Sequence, residues 1–234
     1  MELIVLGCDG SYPSANGACS GYLVREGRQA LLLDCGSGVL GKLMAMMDPA
    51  ELSAVVITHW HADHASDLLT LRYYLEIVGA QLPVYAPEVP SLLREACACP
   101  VLPYHSLKDG FAADPFSVSA LPVHHPVPAY AVRVASGDKA IVYTGDTASV
   151  DGLLAFCAGA DILVCDAAFP TAAWQADRPH ISAEMAAQLA RDSGVGKLVL
   201  THCPPHQDAF TLEREARAVF ADSQSAKPGL KIRA

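Results

Sequence analysis

The stretch THWHADHASD, residues 58–67, places four strong metal ligands within six residues: His59, His61, Asp63 and His64. His59 and His61 are two positions apart, so on an extended segment their side chains point to the same side. One tetrahedral zinc ion cannot accept four protein ligands and keep an open position for water. The stretch therefore predicts either unused histidines or a site for two metal ions.

A site for two ions needs further donors, and three apolar runs elsewhere end in suitable side chains. LPVHHPVPAY supplies His125 or His124, IVYTGDTASV supplies Asp146, and KLVLTHCPPH supplies His202. Strand ends are where α/β proteins commonly collect site residues. The donors then divide into one set of His59, His61, His125 and Asp146 and another of Asp63, His64, His202 and the second oxygen of Asp146. A hydroxide shared by the two ions would make each five-coordinate, which zinc accepts in catalysis.

The order of apolar runs predicts an α/β layered protein. Strands are expected at 2–7, 21–26, 30–36, 53–59, 82–86, 116–122, 129–135, 139–144, 161–166 and 197–201. Helices are expected at 38–48, 63–78, 89–98, 150–158, 182–192 and 209–222. Hairpins followed by interleaved strands and helices favour sheets covered by helices on their outer faces. We expect one domain, 1–234, with two halves of about 1–110 and 111–234.

Composition excludes several functions. The formal charge is −9, and the sixteen Lys and Arg residues are scattered without a basic run, so a groove for long nucleic acids is not expected. Hydrophobic residues at 52% against 18% charged indicate an ordered globular chain. With neither a signal-peptide pattern nor an apolar run of membrane-spanning length, we expect a cytoplasmic protein without membrane contact. The eight cysteines show no repeated Cys-x-x-Cys pair, which predicts free thiols.

The combined motifs resemble those of the metallo-β-lactamase fold superfamily. They are HWHADH at 59–64, the later histidine of HHPVPAY, the aspartate of YTGDT and the histidine of LVLTHC, and Asp34 in LLLDCG matches a structural aspartate behind the metal site. The resemblance implies a four-layer αββα sandwich of two mixed sheets with outer helices. It also implies two divalent ions at one edge, zinc first, with manganese and iron as alternatives, and it suggests a homodimer.

Further features are similar to the ribonuclease Z and phosphodiesterase branch of that superfamily. They are GCDGSYPSANGACSGYLV near the start and RPHISAEMAAQLARDSGVGKLVLTHC at 178–203. The branch implies that His180, just before a helix, assists catalysis, and its pattern favours His125 over His124 as the ligand. Twenty residues separate His125 from Asp146, enough for two strands and a turn. The tRNA-binding arm that ribonuclease Z inserts there does not fit.

These features predict a dinuclear metal-dependent hydrolase that acts on a small phosphodiester or cyclic phosphate. Asp63 would receive a proton from the attacking water, and His180 would donate one to the leaving oxygen. A lactone or thioester hydrolase with the same metal site is the alternative, and a non-catalytic metal-binding protein is a further one. His105 and His206 match no motif and are expected on the surface, and the role of Cys203 stays open.

Overall fold

The computed structural model describes residues 1–89 and 91–234, and in these residues the chain forms fourteen strands and seven α-helices. The strands are β1 Glu2–Gly7, β2 Gly21–Glu26, β3 Gln29–Leu33, β4 Ala54–Val56, β5 Val84–Ala86, β6 Tyr104–Ser106, β7 Phe111–Ala113, β8 Phe116–Val123, β9 Ala129–Ser136, β10 Lys139–Tyr143, β11 Ile162–Asp166, β12 Lys197–Thr201, β13 Ser223–Ser225 and β14 Lys231–Arg233. The helices are α1 Val39–Met44, α2 Ala62–Ala65, α3 Leu68–Val78, α4 Leu92–Cys97, α5 Leu153–Cys157, α6 Ala183–Asp192 and α7 Ala209–Val219.

The strands form two mixed sheets of seven strands each in the described part of the chain. The first sheet has the order β14-β1-β2-β3-β4-β5-β6, and the second has the order β13-β12-β11-β10-β9-β8-β7. Strands β3 to β6 are parallel to one another, as are β10 to β13, while the remaining pairs are antiparallel. The carboxyl ends of the parallel strands therefore face one edge in each sheet.

Alternation along the strands explains why each sheet is covered on both faces. In β1, Leu3 and Val5 belong to a central apolar cluster, whereas Ile4 and Leu6 belong to a cluster on the opposite face. Successive side chains of a strand point to opposite faces, so a run of four apolar residues indicates burial on both sides.

Three apolar clusters separate four layers. The central cluster joins the two sheets and includes Tyr22 of β2 and Tyr143 of β10, both buried. A second cluster packs α1 and α3 on the first sheet, and a third packs α5, α6 and α7 on the second. The αββα sandwich with outer helices, expected from the sequence, is confirmed.

The expected helix at 63–78 is wrong in one respect, because it is broken between α2 and α3. The backbone carbonyl of Asp63 accepts from the Ser20 amide, and that of His64 accepts from the Cys35 amide. The Asp67 amide in turn donates to the carbonyl of Cys35. These groups pair with neighbouring loops instead of with each other along a helix, so the metal motif is tied to the loops after β1 and β3.

Other boundaries also differ from expectation. The helix expected at 38–48 ends at Met44, the strand expected at 53–59 ends at Val56, and the helix expected at 89–98 is observed at Leu92–Cys97. Pro90, inside that last prediction, lies outside the described residues. The three-residue strands β6, β7, β13 and β14 were not predicted, because runs so short carry little periodicity.

The first and last strands, β1 and β14, pair with each other at one edge of the first sheet. Strand β14 pairs antiparallel with β1, with Glu2 opposite Arg233, and the amino group of Met1 lies 2.7 Å from a carboxylate oxygen of Glu26. Because β1 runs parallel to β3, this corner lies opposite the carboxyl ends of β3 and β4.

The described helices are too short for a bilayer. The longest, α3 and α7, have eleven residues each, against about 20 for a membrane-spanning helix, and no described helix is long and apolar enough to cross a membrane.

Candidate metal centre

The predicted donors converge from four loops that follow strands β4, β8, β10 and β12. They form two groups that share Asp146 and whose donor atoms lie within 4.8 Å of one another. The outer donor group is His59, His61, His125 and Asp146; the inner donor group is Asp63, His64, Asp146 and His202. All seven residues expected as metal ligands are thus brought together, in the expected division.

The outer donor group presents three imidazole nitrogens to one point. His61 Nδ1 lies 3.0 Å from His59 Nε2 and 3.2 Å from His125 Nε2, and Asp146 Oδ2 lies 3.7 Å from His59 Nε2. Ligands bound tetrahedrally to zinc at about 2.0–2.1 Å are about 3.4 Å apart, so this spacing suits one ion. His59 is buried, while His61 and His125 are half-buried.

The inner donor group is buried throughout. His64 Nε2 lies 3.3 Å from Asp146 Oδ1 and 3.6 Å from Asp63 Oδ2, and His202 Nδ1 lies 3.2 Å from Asp146 Oδ1. His64 Nε2, Asp146 Oδ1 and His202 Nδ1 are buried without a hydrogen-bond partner among the described residues. Buried polar atoms of this kind are costly unless something binds them, and a divalent cation would satisfy all three at once.

The protonation states of three of the histidine donors also suit metal binding. Burial lowers the pKa of His59 well below its usual value, and it lowers the pKa values of His125 and His202 to about 4 each. These imidazoles are neutral at physiological pH, which is the form that binds metal ions. The donor set and its unpartnered atoms therefore fit two divalent cations.

Asp34 holds the inner donor group from behind. Its carboxylate is fully buried and accepts from the Thr58 amide at 2.8 Å, from the Tyr143 hydroxyl at 2.9 Å and pairs with His64 Nδ1 at 2.7 Å. A carboxylate on the far nitrogen fixes the ring and leaves His64 Nε2 as the donor. Asp34 has a positive φ of 57°, in the left-handed region that Asp tolerates better than most residues.

His202 is positioned by close packing on the β1–β2 loop. Its φ is 60°, an uncommon backbone conformation for histidine. A Cβ built on Gly10 would lie 2.3 Å from the His202 ring, so position 10 has room for glycine and for no larger residue. The Gly10 amide donates to the carbonyl of Cys203 at 3.3 Å, which fixes the loop against the site.

His180 lies beside the shared carboxylate and is paired with Asp166, a residue not predicted from the sequence. His180 Nδ1 lies 2.9 Å from Asp166 Oδ2 and 3.9 Å from Asp146 Oδ2. Burial opposes the charge of His180, but Asp166 outweighs it and raises the pKa of His180 to about 9. Asp166 also accepts from the Thr147 amide at 3.0 Å. Because Asp166 ends the apolar run of β11, as Asp146 and His202 follow β10 and β12, the same strand-end criterion could have found it.

The donor groups open into one small cleft. Its volume is about 400 Å³, and its lining includes Ser11, Asp63, His125 and His180. Pockets of about 300–1,000 Å³ suit small molecules. The β9–β10 hairpin that follows His125 turns through Gly137 and Asp138, so the described chain carries no inserted arm at this point.

The remaining histidines lie outside both donor groups. His124 is exposed, His105 stacks on Tyr85 with ring centroids 5.0 Å apart, and His206 lies 3.3 Å from the hydroxyl of Tyr12. Of the two candidates after β8, His125 is the one that the structure places with the donors. All eight cysteines are free thiols, and in the described chain the Cys203 Sγ lies within hydrogen-bond distance only of the backbone carbonyls of Pro204 and Gln207.

The fold and the donor groups define a class of αββα proteins that collect histidine and aspartate donors at the edge where strands of both sheets end. The chain belongs to the β-lactamase superfamily, since the model of the beta-lactamase superfamily domain matches residues 29–203.

Known relatives place the chain within that family. It is 33% identical to the probable metallo-hydrolase YhfI of Bacillus subtilis (strain 168), with 94% of each chain covered. The crystal structure of the metallo-beta-lactamase fold protein YhfI matches with a TM-score of 0.95 and 31% identity, covering 100% of this chain and 98% of that one. Ribonuclease Z of Mycobacterium sp. (strain KMS) is 33% identical over 94% of this chain and 90% of that protein. The resemblance to the ribonuclease Z-like branch is confirmed.

Proposed function

We propose that this metallo-hydrolase of the β-lactamase superfamily cleaves a small phosphodiester or cyclic phosphate with the help of two divalent cations, zinc being the first candidate. The observation that carries the proposal is the His180–Asp166 pair, 3.9 Å from the carboxylate that both donor groups share. A protonated imidazole beside the metal donors supports the proposal because it could give a proton to a leaving oxygen.

Two divalent cations, when bound by the donor groups, supply acidification of water and neutralisation of negative charge on phosphoryl oxygens. Asp63, which is buried but lines the cleft, would accept the proton of the attacking water. As the new P–O bond forms and the bond to the leaving oxygen breaks, His180 would donate its proton to that oxygen. Asp166 would hold the His180 ring and stabilise its charged form before the transfer.

Substrate size follows from the cleft and the short hairpin. A volume of about 400 Å³ admits a nucleotide-sized molecule, and the β9–β10 hairpin offers no arm to hold a folded RNA. The formal charge of −9 further disfavours a long polyanion. The similarity to a ribonuclease Z of Mycobacterium supports phosphodiester chemistry.

Substrates with different leaving groups can distinguish general-acid catalysis by His180 from other roles of this residue. A p-nitrophenolate leaves without protonation, whereas the alkoxide of a cyclic nucleotide needs a proton. In zinc-, manganese- or iron-loaded protein, we expect His180→Ala to lower kcat for a cyclic nucleotide by about 10²–10⁴-fold and for bis(p-nitrophenyl) phosphate much less. Asp166→Asn should show the same pattern more weakly.

A four-substrate panel tests the reaction class. It contains bis(p-nitrophenyl) phosphate, a cyclic nucleotide, a lactone and a thioester, assayed with wild type, His180→Ala and Asp146→Ala. His124→Ala is the matched control, because it removes a neighbouring histidine that lies outside the donor groups. Turnover of the acyl substrates without turnover of the diesters would show that the protein is a lactone or thioester hydrolase instead. No turnover of any substrate with any metal would favour a non-catalytic protein.

A further inference from the structure

Arg178 is an exposed cation that neighbours the cleft lining in sequence and has no acidic partner among the described residues. It precedes Pro179, which lines the cleft, and its side chain is exposed. The guanidinium carbon lies 5.4 Å from the centroid of the Phe169 ring, a cation–π contact. In residues 1–89 and 91–234 the guanidinium takes part in no ion pair and no side-chain hydrogen bond. Its five N–H donors are therefore available to a ligand.

The loop that carries Arg178 is fixed to the site. The Trp174 indole Nε1 donates to the carbonyl of His180 at 3.0 Å, and the carbonyl of Pro179 lies 3.3 Å from His125 Nδ1. These contacts flank Arg178 on both sides in sequence. The backbone on the C-terminal side of Arg178 is thus fixed at Pro179, which contacts the metal donor His125, and at His180, which accepts from Trp174.

Arg178 is connected through Phe169 to His180, the residue proposed to protonate the leaving group. The Phe169 ring that supports it is 6.2 Å from the His180 ring, centroid to centroid. Among the described residues that line the cleft, none is a lysine or arginine. The metal ions would neutralise the charge of the diester itself, but a second negative charge on the leaving group would meet Arg178.

We propose that Arg178, supported by Phe169, forms a subsite for a second anionic group, a phosphate or a carboxylate, on the leaving-group portion of the substrate. The proposal rests on the phosphodiesterase function proposed above. A guanidinium suits this task because its planar fork binds two oxygens of a phosphate or carboxylate at once. The subsite would make the enzyme prefer diesters whose leaving group carries its own charge.

Two dinucleotides test the subsite in the metal-loaded protein. Diadenylate with a 5′-phosphate, pApA, and diadenylate without it, ApA, differ by one phosphate, which lies on the leaving nucleoside when the 3′-oxygen departs. We expect the ratio of kcat/KM for pApA to that for ApA to fall about tenfold in Arg178→Ala and less in Arg178→Lys. Arg191→Ala is the matched control, since Arg191 is an exposed arginine of α6 outside the cleft, and it should leave the ratio unchanged. An equal loss for both dinucleotides would leave the ratio unaltered and would overturn the subsite.

Binding measurements separate failure of the subsite from failure of the proposed function. Calorimetric titration of both dinucleotides into metal-loaded protein should show about tenfold tighter binding of pApA, and Arg178→Ala should abolish that difference. The same preference without turnover of any diester would refute the function and keep the subsite. Equal affinities, or no binding of either dinucleotide, would overturn the subsite. Bis(3-carboxy-4-nitrophenyl) phosphate against bis(p-nitrophenyl) phosphate shows whether a carboxylate can replace the phosphate.

Discussion

The outer and inner donor groups have the same kind of ligands but different surroundings. In the outer group, His61 and His125 are half-buried and line the cleft. In the inner group every member is buried, and His64 is backed by the Asp34 carboxylate at 2.7 Å. The difference indicates that His61 and His125 of the outer group face the cleft, while the inner group is also part of the folded core. Substitutions in the two groups should therefore differ in their effect on stability.

The largest effect on activity is expected for Asp146, the carboxylate that both donor groups share. Asp146→Asn keeps the size of the side chain but removes the negative charge that faces both groups. Loss of residues that merely orient a ligand costs about 10–100-fold, so loss of the shared carboxylate should lower kcat/KM by more than about 100-fold. Elemental analysis should show loss of bound metal. Full activity with two ions retained would refute the shared role of Asp146.

A pair of alanine substitutions measures the contrast between the groups directly. In chelator, His64→Ala should lower the free energy of unfolding by about 3 kcal/mol, because it removes the imidazole that lies between the buried Asp34 and Asp146 carboxylates. His61→Ala should lower it much less, since its side chain is half-buried and lies on the cleft. Urea unfolding of both variants provides the comparison. Equal losses would show that the inner group is not more strongly coupled to the core.

A smaller effect on stability is expected for Tyr143, which contacts Asp34 and through it supports the inner donor group. Tyr143→Phe removes the hydroxyl that donates to Asp34 at 2.9 Å within the central cluster. Loss of one hydrogen bond to a buried charge should lower the free energy of unfolding by about 2 kcal/mol and weaken metal binding several-fold. Tyr73→Phe is the control, because Tyr73 is an exposed tyrosine on α3. An effect no larger than that of the control would show that Tyr143 does not support the site.

The sequence predicted the donor residues because each follows an apolar run. His125, Asp146 and His202 all come within three residues after strands, and strand ends at one edge of a sheet lie close together. Asp166 was missed although it ends β11 in the same way, since it contacts His180 and no motif marked it as a partner. Its strand-end position could have marked Asp166 as a candidate, but its pairing with His180, fourteen positions away, is a side-chain contact that strand patterns do not encode.

The break between α2 and α3 could not be predicted from local pattern. The stretch from Asp63 to Val78 has helical periodicity throughout, and the interruption comes from backbone hydrogen bonds to Ser20 and Cys35, which are distant in sequence. Arg178 is a similar case, because its position relative to the cleft depends on how the loop before α6 is fastened. Contacts between residues distant in sequence, and not local helix propensity, therefore determine both the helix interruption and the position of Arg178.

The antiparallel pairing of β1 with β14 has a practical consequence for handling the protein. Residues 1 and 234 lie side by side, with the Ala234 amide donating to the Met1 carbonyl, at the corner opposite the donor groups. A fluorophore, affinity tag or surface linker joined at either residue would extend away from the cleft. Immobilisation through that corner would therefore leave the cleft facing the bulk solution for binding measurements.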